Sequence, residues 1–275
     1  MHDLNNRGIV ILGGTGLVGN ACKEYFSRKG VEVVAPDKEN FHILENKVKV
    51  SSQVMSKMEI YPILDAIHLD TKTNKQEIPH ESSYIKQLSL ILQKRDKNLP
   101  FTYLSSGAVY GEKEEMIRDS SNLNPISSHG QMKLGLERDV QQHFMKHRIY
   151  RLFFPYGERI KPERLVPSLI GKIKIGQPVR CNVDGGPLIS IIDVKDLSEI
   201  LFNESRSEWV GVKNIAGGER IRIVDIANLI GGVLGRDPIF EVNKNATSNC
   251  YAEEYDFRQW RKLENQIQKI VQNHI

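Results

Sequence analysis

Residues 8–35 constrain this chain more than any other stretch. Gly8-Ile9-Val10-Ile11-Leu12 is a short apolar run rich in β-branched residues. It reads as a strand buried on both faces. Gly13-Gly14-Thr15-Gly16-Leu17-Val18-Gly19 follows, then a helical stretch from Asn20 to Lys29 that Gly30 ends. Val31–Ala35 is a second apolar strand. A strand, a helix and a strand in succession make a βαβ unit. Its right-handed crossover sets the two strands parallel.

The glycines are spaced G-x-x-G-x-x-G between strand and helix. In that place one glycine makes the tight turn, one lets the backbone approach a pyrophosphate, and one lets the helix pack on the strand. The helix N-terminus adds free N–H groups and a partial positive charge. Asp37 stands just past the second strand. A carboxylate there accepts hydrogen bonds from adenosine ribose hydroxyls and repels a 2′-phosphate. Gly13, Thr15, Gly16, Leu17, Val18, Gly19 and Asp37 are therefore expected to hold a dinucleotide, with NAD preferred. Lys38 offers a charge to a 2′-phosphate, which leaves NADP open.

The alternation continues. Strands are expected at Val48–Ser51, Ile63–Leu69, Phe101–Ser105 and Ile149–Phe154, with helices at Ser82–Gln93 and Ile126–Lys146. Leu136, Val140 and Phe144 recur every four residues and give the second helix one apolar face. This pattern predicts an α/β fold built on a doubly wound parallel Rossmann sheet. After Gly157 the regularity loosens. Leu165–Ile175 and Ile223–Leu234 read as helices, Asp184-Gly185-Gly186-Pro187 as a turn, Ile189–Val194 as a strand returning to the main sheet, and the tail from Glu253 as helical. The expected division is a dinucleotide-binding domain over 1–158 and a smaller mixed α/β substrate lobe over 159–275. The chain is expected to return to the core around 188–217.

Composition excludes several classes. At 40% hydrophobic and 26% charged, the 275 residues supply a real core and no sign of disorder. The net charge of +4 is spread along the chain, so no stripe follows the phosphates of a nucleic acid. No apolar run approaches the roughly 20 residues of a membrane helix, and the polar start from Met1 to Arg7 lacks the pattern of a signal peptide. A cytoplasmic protein is expected. Cys22, Cys181 and Cys250 are far apart and suggest neither disulfide framework nor zinc site. His143 and His147 have no third ligand, so no metal is expected.

Later motifs add a resemblance. Ile67-His68-Leu69, Leu104-Ser105-Ser106-Gly107-Ala108-Val109-Tyr110-Gly111, His129-Gly130-Gln131-Met132-Lys133, Tyr156-Gly157 and Val194-Lys195-Asp196 arrive in the order seen in extended short-chain dehydrogenases/reductases. The likeness is to the nucleotide-sugar type of NAD-dependent epimerase/dehydratase and runs from about residue 8 to about 235. The resemblance implies a serine, tyrosine and lysine active site. Ser106 then hydrogen-bonds the reacting oxygen, Lys133 positions the cofactor ribose and lowers the pKa of the proton carrier, and Leu69 lies at the cofactor. His129 stands where that family has its tyrosine. Imidazole exchanges protons near neutral pH but is shorter than phenol.

Two readings follow. One is an NAD(P)-dependent epimerase or reductase of a nucleotide-activated sugar, with His129 as proton carrier. The other is a catalytically weak or inactive dinucleotide-binding scaffold or regulatory protein. Gly107 and Ala108 replace the acid pair of the sugar 4,6-dehydratases, so elimination of water is not expected. Ile189 replaces an arginine that grips nucleotide phosphates, with Arg180 and Arg159 as candidates to substitute. The 126–146 helix is a candidate homodimer surface.

Overall fold

The structure, a computed structural model, describes residues 8–44, 47–67, 84–113, 115–158, 160–243 and 249–274. In chain order the first elements are β1 (Ile9–Leu12), α1 (Leu17–Arg28), β2 (Val33–Val34), β3 (Phe41–Leu44), β4 (Lys47–Val50), α2 (Ser52–Ile60), β5 (Ile63–Asp65), α3 (Tyr84–Ile91), β6 (Phe101–Ser106), α4 (Ser128–His143) and β7 (His147–Leu152). Then come β8 (Pro155–Tyr156), α5 (Leu165–Lys174), β9 (Val179–Asn182), β10 (Leu188–Asp193), α6 (Val194–Ser205), β11 (Gly211–Ile215), β12 (Glu219–Arg222), α7 (Ile223–Leu234), β13 (Phe240–Asn243) and α8 (Leu263–Gln272). The chain forms two compact units. The first comprises Met1–Gly111, Asn122–Leu152 and Ser198–Lys213, and the second Glu112–Ser121, Phe153–Leu197 and Asn214–Ile275.

The first unit carries a six-stranded sheet in the order β11-β7-β6-β5-β1-β2. Strands β2, β1, β5, β6 and β7 pair in parallel. This is the α/β Rossmann arrangement that the βαβ pattern predicts. The all-apolar β1 is buried at every residue, as a central strand covered on both faces must be. Helices α3 and α4 pack on the sheet through Ile85, Leu88, Leu136 and Val140, and Phe144 stacks on Phe101 with ring centres 3.9 Å apart. Ser127 caps α4 by accepting from Gly130 N–H at 3.0 Å.

Two expected strands lie elsewhere. Val48–Ser51 does not extend the main sheet: β4 pairs antiparallel with β3 in a separate two-stranded ladder. Its alternation of exposed lysines with buried Val48 suits a half-exposed ladder, not a strand covered on both faces. Ser51 then caps α2, a helix the sequence reading lacked, by accepting from Val54 N–H. Likewise the strand near Ile189–Val194 does not return to the main sheet. As β10 it sits in a three-stranded sheet of the second unit, antiparallel to β12 and parallel to β8. The strand that does join the main sheet is β11, beyond β7.

In the second unit, β9 pairs with β13 and α7 occupies the residues expected of it. The tail is helical only over α8; residues from Glu253 to Lys262 are irregular. Arg261 ties that irregular segment to the fully buried Asp196 through its guanidinium and its backbone N–H. No helix among the described residues is long and apolar enough to cross a membrane.

Candidate active site

The glycine loop connects β1 to α1. Gly13 has φ +76°, a left-handed conformation that a side chain disfavours, and a Cβ there would stand 2.8 Å from Ala66 O. At Gly19 a Cβ would lie 2.3 Å from Gly13 O, so the first turn of α1 and the loop approach as closely as backbones can. Gly16 occupies the N-cap of α1, with no side-chain cap and no acidic residue in the first turn. The leading N–H groups of α1 therefore keep their donors for an anion. Thr15 is exposed, and Leu17 and Val18 are half-buried. A glycine loop packed this closely on its neighbours, leading into a helix N-terminus with no side-chain cap, fits a pyrophosphate.

Asp37 is exposed, and its Oδ1 accepts from Glu39 N–H, Asn40 N–H and Asn40 Nδ2. The bonds from Asn40 above all hold this carboxyl below its ordinary pKa. The aspartate thus shapes its own loop as well as presenting a charge. Leu69 lies outside the described residues, as do His68, Asp70 and Arg159.

Ser106 ends β6, is half-buried, and accepts from Ala108 N–H at 3.2 Å, capping the single 3-10 turn Gly107–Tyr110. His129 and Lys133 lie one turn apart on α4, so they share a face. His129 is half-buried and Lys133 is buried. Lys133 Nζ donates to Leu104 O at 2.8 Å and stands 4.7 Å from the centre of the Tyr103 ring. Ser106 and Lys133 are therefore both fixed to one strand, β6. Burial pulls the Lys133 ammonium down to about 8, opposed by the charges of Asp65 and Glu137.

The glycine-and-triad reading missed a buried polar network beneath these residues. Glu137, one turn beyond Lys133, accepts from Ser105 Oγ at 2.5 Å and from Arg151 Nε and a terminal guanidinium nitrogen at 3.1 and 2.8 Å. Arg151 in turn donates to Tyr110 Oη at 2.8 Å. On the other side Asp65, at the end of β5, accepts from Tyr84 Oη at 2.7 Å and from Ile67 N–H at 3.0 Å. One signal for Glu137 was in the sequence: its i+4 spacing from Lys133 puts it on the same face. Asp65 closes a parallel strand at its carboxyl end, where α/β sheets bind ligands.

Other expectations also meet the structure here. His143 ends α4 and His147 begins β7, so the pair does not share a helix face. Arg180 is exposed and engaged by Glu241 on β13 at 2.9 Å. Tyr110 and Tyr156 are packing residues with hydrogen-bonded hydroxyls, that of Tyr156 on Arg261 O. No group of three metal-ligating side chains occurs among the described residues.

Residues 9–203 match the NAD dependent epimerase/dehydratase family. The chain belongs to that family. Its NAD dependence agrees with the cofactor read from the glycine loop. Among curated proteins, the chain is 28% identical over 168 residues to an uncharacterized UDP-glucose epimerase, YtcB, of Bacillus subtilis, a match covering 58% of this chain and 52% of the relative. It is 28% identical over 149 residues to a trifunctional UDP-glucose 4,6-dehydratase/UDP-4-keto-6-deoxy-D-glucose 3,5-epimerase/UDP-4-keto-L-rhamnose-reductase of Arabidopsis thaliana, covering 50% of this chain and 22% of that one. The chain thus spans about half the length of the first relative and about a fifth of the second.

Solved structures agree in fold over nearly the whole chain. MoeE5, solved with UDP-glucose and NAD, superposes with a TM-score of 0.78 at 18% identity, covering 97% of this chain and 98% of its own. A UDP-glucuronic acid 4-epimerase from Bacillus cereus, solved with UDP-glucuronic acid and NAD, gives 0.76 at 17%, with the same coverage.

Proposed function

We propose that this chain binds NAD and acts as an epimerase or reductase on a nucleotide-activated sugar. The observation that carries the reading is the arrangement on one unit of the glycine cradle, the uncapped α1 and the buried Lys133 beside the Ser106 strand end. Family membership and relatives named for UDP-sugar chemistry support the substrate class. The bound cofactor would supply hydride exchange with a carbinol carbon of the sugar.

This chain's own residues do the rest. Gly13, Gly16 and Gly19 admit the pyrophosphate, with Thr15, Leu17 and Val18 on the same loop and turn. Asp37, whose Oδ1 is taken by its own loop, would offer Oδ2 to a ribose hydroxyl, which would favour NAD over NADP. Leu69, outside the described residues, is assigned to the cofactor by the resemblance alone, and Lys133 would hold the cofactor's second ribose. Ser106 donates to the reacting sugar oxygen. His129, one turn before Lys133, carries the proton, directly or through one water, because imidazole does not reach as far as phenol. Gly107 and Ala108 bear no carboxyl group where, by the resemblance, the sugar 4,6-dehydratases carry their acid pair. This supports epimerase or reductase chemistry over dehydration.

Titration with NADH and NADPH, followed by nucleotide fluorescence, tests the cofactor half. Saturable NADH binding with weak NADPH binding is expected, and absence of both refutes it. For the chemical half, His129→Ala is expected to lower turnover of a UDP-sugar at least 100-fold with NADH affinity nearly unchanged, on the usual scale of acid–base catalysis, about 10²–10⁴. Unchanged turnover removes His129 from the mechanism. Binding of NADH with no turnover of any UDP-sugar by the unaltered protein points to a cofactor-binding scaffold instead.

A further inference from the structure

Four buried charges lie under the candidate site: Lys133 and Glu137 on α4, Arg151 on β7 and Asp65 on β5. They divide into two pairs by geometry. Arg151 grips Glu137 through two nitrogens, so the Glu137 charge is answered at hydrogen-bond distance by a guanidinium. Among the described residues no cation is hydrogen-bonded to Asp65. Its hydrogen-bond donors among the described residues are neutral, the Tyr84 phenol and the Ile67 amide. Sheet register sets Asp65 directly opposite Tyr103, and the Lys133 ammonium stands 4.7 Å from the centre of that same ring. The groups facing Lys133 are thus Asp65 from β5, Tyr103 and Leu104 O from β6, and His129 and Glu137, one turn to either side on α4 itself. Tyr84 from α3 and Arg151 from β7 act through the two carboxylates. The Tyr103 hydroxyl, also buried, has no hydrogen-bond partner among the described residues.

We propose that Asp65 is a positioning residue that keeps Lys133 charged and fixed over Tyr103 across the neutral pH range. A lysine buried without a counter-charge releases its proton. The neighbouring Glu137 cannot fully meet that need, because Arg151 already neutralises it. Asp65 therefore supplies the balancing charge, and Tyr84 holds Asp65 ionised by donating to it. The directions agree: burial raises Asp65 to about 6 while Lys133 lowers it, and burial lowers Lys133 while Asp65 opposes that fall more than Glu137 does. At neutral pH both stay charged, so Lys133 would offer a bound cofactor an ammonium rather than an amine. This deepens the functional reading above and rests on it only in giving Lys133 a ligand.

The test is direct titration of Lys133 by NMR on the full chain labelled at lysine Cε, with the resonance assigned from a Lys133→Arg sample. In the unaltered protein the midpoint is expected at about 8. In Asp65→Asn it is expected to fall by about one pH unit, a tenfold loss of proton affinity, the scale of one opposite charge nearby. Tyr84→Phe keeps the carboxyl but removes its donor, so a smaller shift in the same direction is expected. It also carries the test if Asp65→Asn does not fold. A Lys133 midpoint unmoved in the folded variants overturns the proposal. NADH affinity measured across the same pH range gives the second readout. The pH at which affinity weakens should fall together with the Lys133 midpoint. A midpoint that moves while NADH affinity stays put upholds the Asp65–Lys133 tie and removes Lys133 from the cofactor site.

Discussion

At Gly19 a Cβ would meet Gly13 O at 2.3 Å, backbone against side chain, with no flexible group to give way. Gly19→Ala is therefore expected to cost about 1–3 kcal/mol in stability, the scale of overpacking, and to weaken NADH binding by distorting the cradle. Urea denaturation and fluorescence titration check the two effects, and an unaltered variant in both would dismiss the close-approach argument. Asp65 and Lys133 make stability depend on pH in opposite senses. The folded pKa of Asp65, about 6, lies above its unfolded value, so the folded state binds more protons in that interval and its stability contribution falls as pH rises through 6. The folded pKa of Lys133, about 8, lies below its unfolded value, so its contribution is lost as pH falls through 8. The two together contribute least between about 6 and 8. Asp65→Asn removes the acid-side slope. The stability of the unaltered protein relative to the variant should thus rise on acidification from pH 6 toward pH 4, and a difference independent of pH would contradict the buried, charged Asp65.

Strand β7 and helix α4 are joined by Glu137 and Arg151, both almost fully buried. Removing one partner leaves an unanswered charge in the interior. Glu137→Ala is expected to cost about 3–5 kcal/mol, whereas replacing both residues with apolar side chains of similar volume should cost much less. A double-mutant cycle by denaturation measures this, and additive single effects would show that the pair is not coupled. The sequence showed α4 clearly, because Leu136 and Val140 repeat at helical spacing and the chain buries them. It did not show the ion pair, since Arg151 comes from a strand outside the helix pattern. Strand β4 was legible as a strand but not as a hairpin partner. Local alternation tells which residues extend, and only long-range pairing tells which edge they join.

The first unit is discontinuous in the chain, and this has a consequence for the whole molecule. Ser198–Lys213 supplies Phe202, which meets Phe26 edge to face with centres 5.3 Å apart. It also supplies the carbonyls of Ser205, Ser207 and Trp209, all acceptors for the buried Arg148. A fragment of residues 1–158 lacks all of these and leaves that guanidinium without those acceptors. It is expected to show no cooperative urea transition, and a sharp one like that of the full chain would refute the dependence. In the full chain, NADH at about 100 times its Kd should add about 2.7 kcal/mol of stability, seen as a raised Tm.

By itself the sequence determined the βαβ start, the glycine loop between strand and helix, the α/β class, and the spacing that sets His129 and Lys133 on one face of a helix. Each rests on local pattern: an apolar run, a glycine spacing, a helical period, a motif. Only the tertiary structure decided that β10 belongs to the second unit, that β11 joins the main sheet, and that Asp65 lies opposite the Tyr103 over whose ring Lys133 stands. Those facts depend on residues far apart in the chain meeting through sheet register, and on burial, which sets the charge of a lysine or an aspartate and leaves no mark in the sequence around it.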